Sequence, residues 1–228
     1  MGGVSCPHPE VNHEPYMSSK PNEPWICIEC RQTFKADPYD RFFTDPAMAK
    51  RVVEWARLQP GDSVLEPSAG DGGLVASVPP GCRLTMVELI QSQVAKLLVD
   101  QRFPKARIVH GDFLKWRAPE VFDVAIMNPP YSSEPGADGL HVSHALRCAR
   151  RVVTLVRTNF AHGFQRYHQV FRWSRVTRQV VLSRRPPFSG PADSGHGARH
   201  DYQILELCRR EREREPGDTD QVELEFWV

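Results

Sequence analysis

The sequence predicts an α/β fold: a doubly wound, mostly parallel seven-stranded sheet, preceded by a small zinc-binding-like segment. Two observations carry the sheet. Between residues 40 and 208, short apolar runs alternate with amphipathic stretches, and the connections are long enough to bring parallel strands back into register. Four successive apolar runs also end in glycine, acid, amide or aromatic residues. Doubly wound sheets hold their ligands outside the carboxyl ends of the strands, so this composition belongs on one sheet edge.

The elements follow in order. "TDPAMAKRVVEWARLQPGD" carries helix start and stop signals, with Thr44 or Asp45 to cap, Pro46 in the first turn and Pro60-Gly61 to close. Val64-Leu65 is the first strand, and Pro67 to Gly73 is a glycine-bearing turn. "RLTMVEL" is the second strand and "QSQVAKLLVDQRF" a helix. "ARIVHGDF" is the third strand and "FDVAIMN" the fourth. Two adjacent prolines, Pro129 and Pro130, stop that fourth strand, because proline donates nothing to a ladder. "GLHVSHALRCARR" reads as a helix, "VVTLVRTNF" as a strand, "GFQRYHQVFRW" as a helix, and "RQVVLSRR" and "DYQILEL" as the last two strands.

The chain has 228 residues, the size of one domain with a small appendage. We divide it into residues 1–36, a small Cys/His segment, and 37–228, the main domain. The 29 basic and 28 acidic side chains nearly cancel, so nucleic-acid binding would need a local patch. Arg172, Arg175, Arg178, Arg184, Arg185 and Arg199 surround a glycine-rich loop at residues 189–201 and are candidates for it. No apolar run approaches membrane-spanning length and no leader pattern is visible, so a cytoplasmic location is expected. Six cysteines in that setting read as thiols or metal ligands. The charge run "RRERERE" at 209–215 reads as a solvated helix end or linker.

The strand ends suggest a ligand. The first offers Glu66, Gly70, Asp71, Gly72 and Gly73; the second Glu88; the third Asp112 and Phe113; the fourth Asn128 to Tyr131. The glycines allow close backbone approach. Acids in place of a phosphate-binding spacing suit a ligand with a cationic, amino-bearing tail. Glu88 is placed to hold ribose hydroxyls, as the acid does in dinucleotide folds. Asp112 can accept from an exocyclic amine, and Phe113 can cover an adenine face. A nucleoside with an amino-acid-like cationic tail, S-adenosylmethionine, meets all of these demands.

With these residues in view, residues 40 to about 208 resemble class I S-adenosylmethionine-dependent methyltransferases. The likeness is to the adenine-N6 DNA methyltransferases of phage and bacterial type. "RFFTDPAMAKRVVEWA" resembles the segment before that family's cofactor loop, "VLEPSAGDGGL" the loop, "VEL" and "GDFL" its second and third motifs, and "NPPY" its catalytic motif. The resemblance implies a Rossmann-like methyltransferase fold and S-adenosylmethionine as cofactor. It implies DNA as partner, with the target base flipped out. It places Phe43 and Thr44 beside the cofactor's methionine end and Glu66, Gly70, Asp71 and Gly72 in its loop. Glu88 falls on the ribose, and Asp112 and Phe113 on the adenine. Asn128 and the Pro129 carbonyl would accept from the target amine, Pro130 would hold the turn, and Tyr131 would stack on the base. No large target-recognition domain is identifiable, so specificity would come from loops, the N-terminal segment or a second subunit. The same motif also serves methylation of RNA adenine or protein glutamine. A non-catalytic nucleic-acid-binding module of the same fold is a further alternative.

"CPHP" and "WICIEC" call for a separate account. Cys6, His8, Cys27 and Cys30 supply four N/S ligands in a segment too polar to build a core, which is the logic of a structural zinc site. His13 can stand in for His8.

Overall fold

The computed structural model describes residues 41–131, 136–189 and 200–227, and the backbone of three short strands before them. Those strands are β1 (Tyr16–Met17), β2 (Trp25–Cys27) and β3 (Thr33–Phe34). They form a three-stranded antiparallel sheet in the order β1-β2-β3. Cys6, His8, His13 and Cys30 lie outside the described residues, as does the side chain of Cys27 at the end of β2. The zinc site expected from the sequence therefore lies outside them too. Among the described residues, no group of three or more His, Cys, Asp or Glu is placed to hold a metal ion.

The main domain begins with α1 (Pro46–Trp55), where Asp45 Oδ1 accepts from Ala47 N at 2.9 Å and Met48 N at 3.2 Å. Capping of this kind satisfies amides that have no partner inside the helix. Then follow β4 (Ser63–Glu66), β5 (Arg83–Glu88), α2 (Gln91–Val99), β6 (Arg107–His110), β7 (Phe122–Met127) and α3 (Ala137–Cys148). The chain continues through β8 (Ala149–Arg157), α4 (Phe164–Gln169), β9 (Ser174–Leu182), β10 (Tyr202–Arg209) and β11 (Glu223–Trp227).

These strands form one sheet in the order β11-β9-β10-β8-β7-β4-β5-β6. β4, β5, β6, β7 and β8 run parallel to one another, β10 is antiparallel to β8 and β9, and β11 is parallel to β9. The seven expected strands are present, and an eighth, β11, extends the edge. Its residues "ELEFW" alternate charge with large apolar groups, a short pattern that the sequence leaves unassigned. Within the sheet, successive residues feed opposite cores. Val64, Met86, Val124, Ile126, Val153 and Ile204 pack on one face with Val52 of α1 and Leu97 of α2. Leu65, Val87, Ala125, Met127, Val152 and Leu205 pack on the other with Val142, Ala145 and Leu146 of α3. Both faces are covered, so strands such as β7 read as apolar runs without alternation. Ile126 is 0% exposed, and its truncation to alanine is worth about 2–5 kcal/mol.

Residues 210–220 differ from the solvated helix end or linker that the charge run suggests. They form no helix. Arg210 and Arg214 both bind Asp220 at 2.6 Å, Arg212 binds Asp218 at 2.9 Å, and Arg214 also donates to the Ser174 and Phe171 carbonyls at 3.2 Å. Arg172 pairs with Glu213. The run folds because its acids arrive six to ten residues after its arginines, in "PGDTD". No described helix is long and apolar enough to cross a membrane.

Candidate active site at the carboxyl edge of the sheet

Parallel pairing of β4, β5, β6, β7 and β8 puts their carboxyl ends on one edge. Glu66, Glu88, Asp112, Asn128 and Arg157 therefore arrive together from separate parts of the chain.

Glu66 ends β4 at 1% exposure. Its Oε1 accepts from Ser68 N at 3.4 Å, and its Oε2 is buried with no hydrogen-bond partner among the described residues. Glu88, at the end of β5, ties the two turns together: Oε2 accepts from Gly70 N and Oε1 from Ile90 N, each at 2.7 Å. Burial pushes the Glu66 carboxyl well above the usual range, and the nearby carboxylates of Glu88 and Asp71 add to the rise. Burial also raises Glu88, opposed by the amides of Ile90, Gly70 and Leu89 and by the charge of Arg41.

The glycine turn is tight for a physical reason. Gly70 has φ +54°, and a Cβ there would sit 3.1 Å from the Phe43 ring. Gly72 has φ +75°, and a Cβ would meet Phe103 at 2.6 Å. Both positions need a left-handed backbone and offer no room for a side chain. Asp71 braces the turn, with Oδ1 accepting from Gly73 N at 2.9 Å and its carbonyl from Arg102 Nη2 at 2.7 Å. Arg102 and Phe103 lie in the "QRF" that the sequence reads only as a helix end; nothing in their spacing marks them as partners of the turn.

Asp112 Oδ1 accepts from Leu114 N at 2.9 Å, and Lys115 Nζ lies 3.3 Å from Oδ2. Phe113 lies elsewhere than expected. Its ring is 3% exposed and packs between Trp116, His141 and His144, with centroids 6.3, 5.9 and 4.7 Å away. It belongs to the core, where its apolar area is removed from water, rather than to an open adenine-covering face.

Asn128 follows β7 and is half-buried, with Pro129 buried beside it and Pro130 half-buried. Its Nδ2 donates to the Phe42 carbonyl and to Thr44 Oγ1, each at 3.2 Å. Its Oδ1 faces the Tyr131 hydroxyl at 2.5 Å, and that hydroxyl is also 2.9 Å from the Leu155 carbonyl. Tyr131 has one hydroxyl proton for these two acceptors. The tyrosine is 6% exposed, edge-on to Tyr202 at 5.5 Å, with the Arg157 guanidinium 5.0 Å over its ring. Its ring is turned inward and braces Asn128, where the sequence suggests a platform for a base. A buried phenol seeks a partner for its hydroxyl, and the strand-end carbonyl and amide supply one.

Phe43 also reaches the site. Its backbone pairs with Ser189 in both directions, N to O at 2.8 Å and O to N at 3.1 Å. Phe42 stacks near Phe188, and Phe188 near Tyr202. Phe188 is the aromatic of "RRPPF", which, with "DYQILEL", resembles the tail of the same methyltransferase family; the Phe42 carbonyl carries no motif signal of its own. The six arginines of the expected patch differ in their surroundings. Arg178 is 6% exposed, lies 4.0 Å over Trp55 and is paired with Glu206, Glu223 and Glu225, so it is structural. Arg172 is bound to Glu213 and Arg185 to Asp201; Arg175 and Arg184 are exposed; Arg199 lies outside the described residues.

No protein-family model matches the chain. It is similar to an rRNA methyltransferase of Streptomyces thermotolerans, 29% identical over 138 residues, 60% of this chain and 45% of that one. It is similar to a dimethyladenosine transferase of Saccharomyces cerevisiae, 31% identical over 103 residues, 43% of this chain and 32% of that one. The chain thus matches between about a third and a half of the length of these relatives. Among solved structures, a Listeria monocytogenes protein described as a class I S-adenosylmethionine-dependent methyltransferase superposes with TM-score 0.58. It is 14% identical, and the superposition covers 79% of this chain and 64% of that one. The architecture is the Rossmann-like fold of class I S-adenosylmethionine-dependent methyltransferases.

Proposed function

We propose that the chain transfers a methyl group from S-adenosylmethionine to the exocyclic amine of an adenine, and that the adenine lies in RNA. The observation that carries the methyl transfer is Asn128. Its amide is held nitrogen-side toward Phe42 and Thr44 and oxygen-side away, at the strand end beside an acid-lined glycine turn.

The residues present fit the cofactor. Glu66 Oε2 is a buried acceptor with no partner among the described residues, suited to the cationic tail. Gly70 and Gly72 leave backbone where side chains would intrude. Glu88 suits the ribose and Asp112 the adenine amine, with Phe43 and Thr44 beside the methionine end. Asp71 shapes the turn. When bound, the cofactor supplies an electrophilic methyl on a sulfonium, already a good leaving group.

Adenine's amine is a poor nucleophile because its lone pair is delocalised into the ring. Two acceptors, Asn128 Oδ1 and the Pro129 carbonyl, can each take one of its hydrogens and draw the nitrogen toward a tetrahedral shape. The nitrogen then takes the methyl and sheds one proton. Pro129 and Pro130 restrict the turn, so the acceptors need no reorganisation when the substrate arrives. Tyr131 supports Asn128 from below.

RNA is favoured over the DNA that the motifs suggest because one sequence relative carries rRNA in its name and the other dimethyladenosine. Tritiated methyl transfer to ribosomal RNA, DNA and protein side by side, followed by nucleoside chromatography, tests the proposal. Label in methylated adenosine from RNA is expected. Label in DNA restores the DNA assignment, and label in protein glutamine points to the third substrate. Tight cofactor binding without transfer to any of them marks a non-catalytic module. The Cys6, His8, Cys27 and Cys30 set is proposed as a structural zinc site, with His13 as the alternative to His8. Elemental analysis should find one zinc per chain, and a content near zero in reduced protein removes the site.

A further inference from the structure

We infer that Thr44 is a positioning residue: its hydroxyl helps to set which way round the Asn128 carboxamide faces. The kinetic consequence rests on the proposed methyl transfer, whereas the geometry stands without it. A carboxamide has two nearly isosteric orientations, related by a half-turn, and only one is useful here. With Oδ1 toward the amine, Asn128 accepts. With Nδ2 toward it, two NH2 groups would face each other.

The surroundings choose. Nδ2 has two acceptors, the Phe42 carbonyl and Thr44 Oγ1, each at 3.2 Å. A carbonyl only accepts, so a flipped amide would set two oxygens against each other. Thr44 supplies the acceptor for the second N–H, and without it that hydrogen has no partner in a half-buried site. On the opposite side the Tyr131 hydroxyl meets Oδ1.

Thr44 is well placed to hold. It is 6% exposed. The next residue, Asp45, caps α1, and the previous one, Phe43, is bridged to Ser189 through both backbone groups. The strap from Phe42 to Thr44 is therefore fixed at each end, and it crosses from the cofactor turn to the methyl-accepting side. The family resemblance sets Thr44 beside the cofactor's methionine end. Its hydroxyl points to the amide that acts on the target base.

Thr44→Val keeps the shape and removes the acceptor, whereas Thr44→Ser keeps the acceptor. The Val variant should lose about tenfold in kcat at saturating cofactor, equivalent to about 1.4 kcal/mol, with a smaller loss in cofactor affinity, since Thr44 also lies beside the methionine end. The Ser variant should recover to within about threefold, since the acceptor is restored. A purely structural role would not separate kcat from Kd in this way.

Independently of activity, nitrogen-15 spectra of the Asn128 side-chain amide should show both protons protected from exchange in the parent protein. One should lose protection in Thr44→Val, and both should keep it in Thr44→Ser. Full kcat in the Val variant overturns the inference, as does a loss of cofactor affinity that accounts for the whole kinetic effect. Rapid exchange of both amide protons in the parent protein overturns it even if the Val variant does not fold. Should the parent transfer no methyl group, the proposed function fails, and the amide spectra still decide the role of Thr44.

Discussion

Two regions rich in charge behave oppositely. In the turn between β10 and β11, Glu213, Glu215, Asp218 and Asp220 each have a cation. Asp220 accepts from Val176 N at 3.0 Å and from Arg210 and Arg214 at 2.6 Å, and Asp218 binds Arg212 and Arg210. Hydrogen bonds from Arg212 hold Asp218 down to about 2. At the carboxyl edge of the sheet, Glu66 and Glu88 are more deeply buried, and burial drives both carboxyls up. Their hydrogen bonds come from backbone amides, and Glu66 Oε2 has none among the described residues. Charges that serve structure are neutralised within the chain. Acids left short of partners in a folded domain mark where something else is meant to bind.

The sharpest way to test this contrast is at the strand end. Asn128→Ala should lower kcat by about a hundred- to a thousandfold, the scale of removing one preorganised polar group from a reacting centre. Cofactor affinity by calorimetry should stay within a few-fold, because the amide's contacts run to Phe42, Thr44 and Tyr131. Full activity in the variant would remove Asn128 from the chemistry.

Glu88→Ala comes next. It deletes the acceptor for Gly70 N and Ile90 N, and with it the proposed ribose ligand. Cofactor binding should weaken by about 1.5–3 kcal/mol, roughly ten- to a hundredfold in Kd. An unchanged Kd in a folded variant would contradict the assignment.

In the paired region the effect should be on stability alone. Asp220→Ala leaves Arg210 and Arg214 facing each other without their shared acid, at a cost of about 2 kcal/mol, below the range for fully buried pairs. Cofactor Kd should not move. The pH dependence has a definite sign. Burial alone would raise Asp220, but the Val176 amide and the Arg214 and Arg210 guanidinium groups outweigh it and lower its carboxyl. Asp218 is lowered as well. A depressed carboxyl contributes stability above its unfolded-state range, lost as pH falls through the folded value. This region should therefore weaken between about pH 4 and pH 2, and denaturant melts in acid would show a smaller acid loss in Asp220→Ala.

Much of this site is legible in the amino-acid sequence, for a simple reason. Apolar runs joined by long crossovers imply parallel strands, and parallel strands share one carboxyl edge, so chain order places Glu66, Glu88, Asp112 and Asn128 along it. What the sequence does not carry is direction. Phe113 and Tyr131 read as platforms for flat ligands, yet both rings turn into the protein. An aromatic next to a motif bears no mark of which side of the backbone it takes. Tertiary pairing is hidden in the same way. Arg178 sits on a strand like its neighbours in sequence, and only the fold brings Trp55 and three acids around it. The "RRERERE" run looks solvated because its partners follow a Pro-Gly turn. β11 is hard to assign from its own five residues because they pair with β9, 45 residues earlier, and local pattern does not carry such pairing.

The smallest expected effect is also the most diagnostic of the contrast, because its sign is unusual. Glu66→Gln should stabilise the free protein. The carboxyl is held well above its ordinary range, chiefly by burial, so folding favours its protonated form. A raised carboxyl contributes stability that is complete below the unfolded-state value and lost as pH rises through the folded one. The parent protein should thus lose stability from the carboxylate range upward, while glutamine, neutral and nearly isosteric, does not titrate. At about pH 4, the unfolded-state value, the two should melt at similar temperatures. At pH 8 the variant should be the more stable, by about 1 kcal/mol, the lower end of the cost of an unsatisfied buried acceptor. The same substitution should weaken cofactor binding, because the unpartnered oxygen proposed to meet the cationic tail is replaced. Stability gained and affinity lost at one atom is the pattern of a residue kept for its ligand. A parent protein more stable than the variant at pH 8 would mean that Glu66 already has its counter-charge, and the two regions would no longer differ.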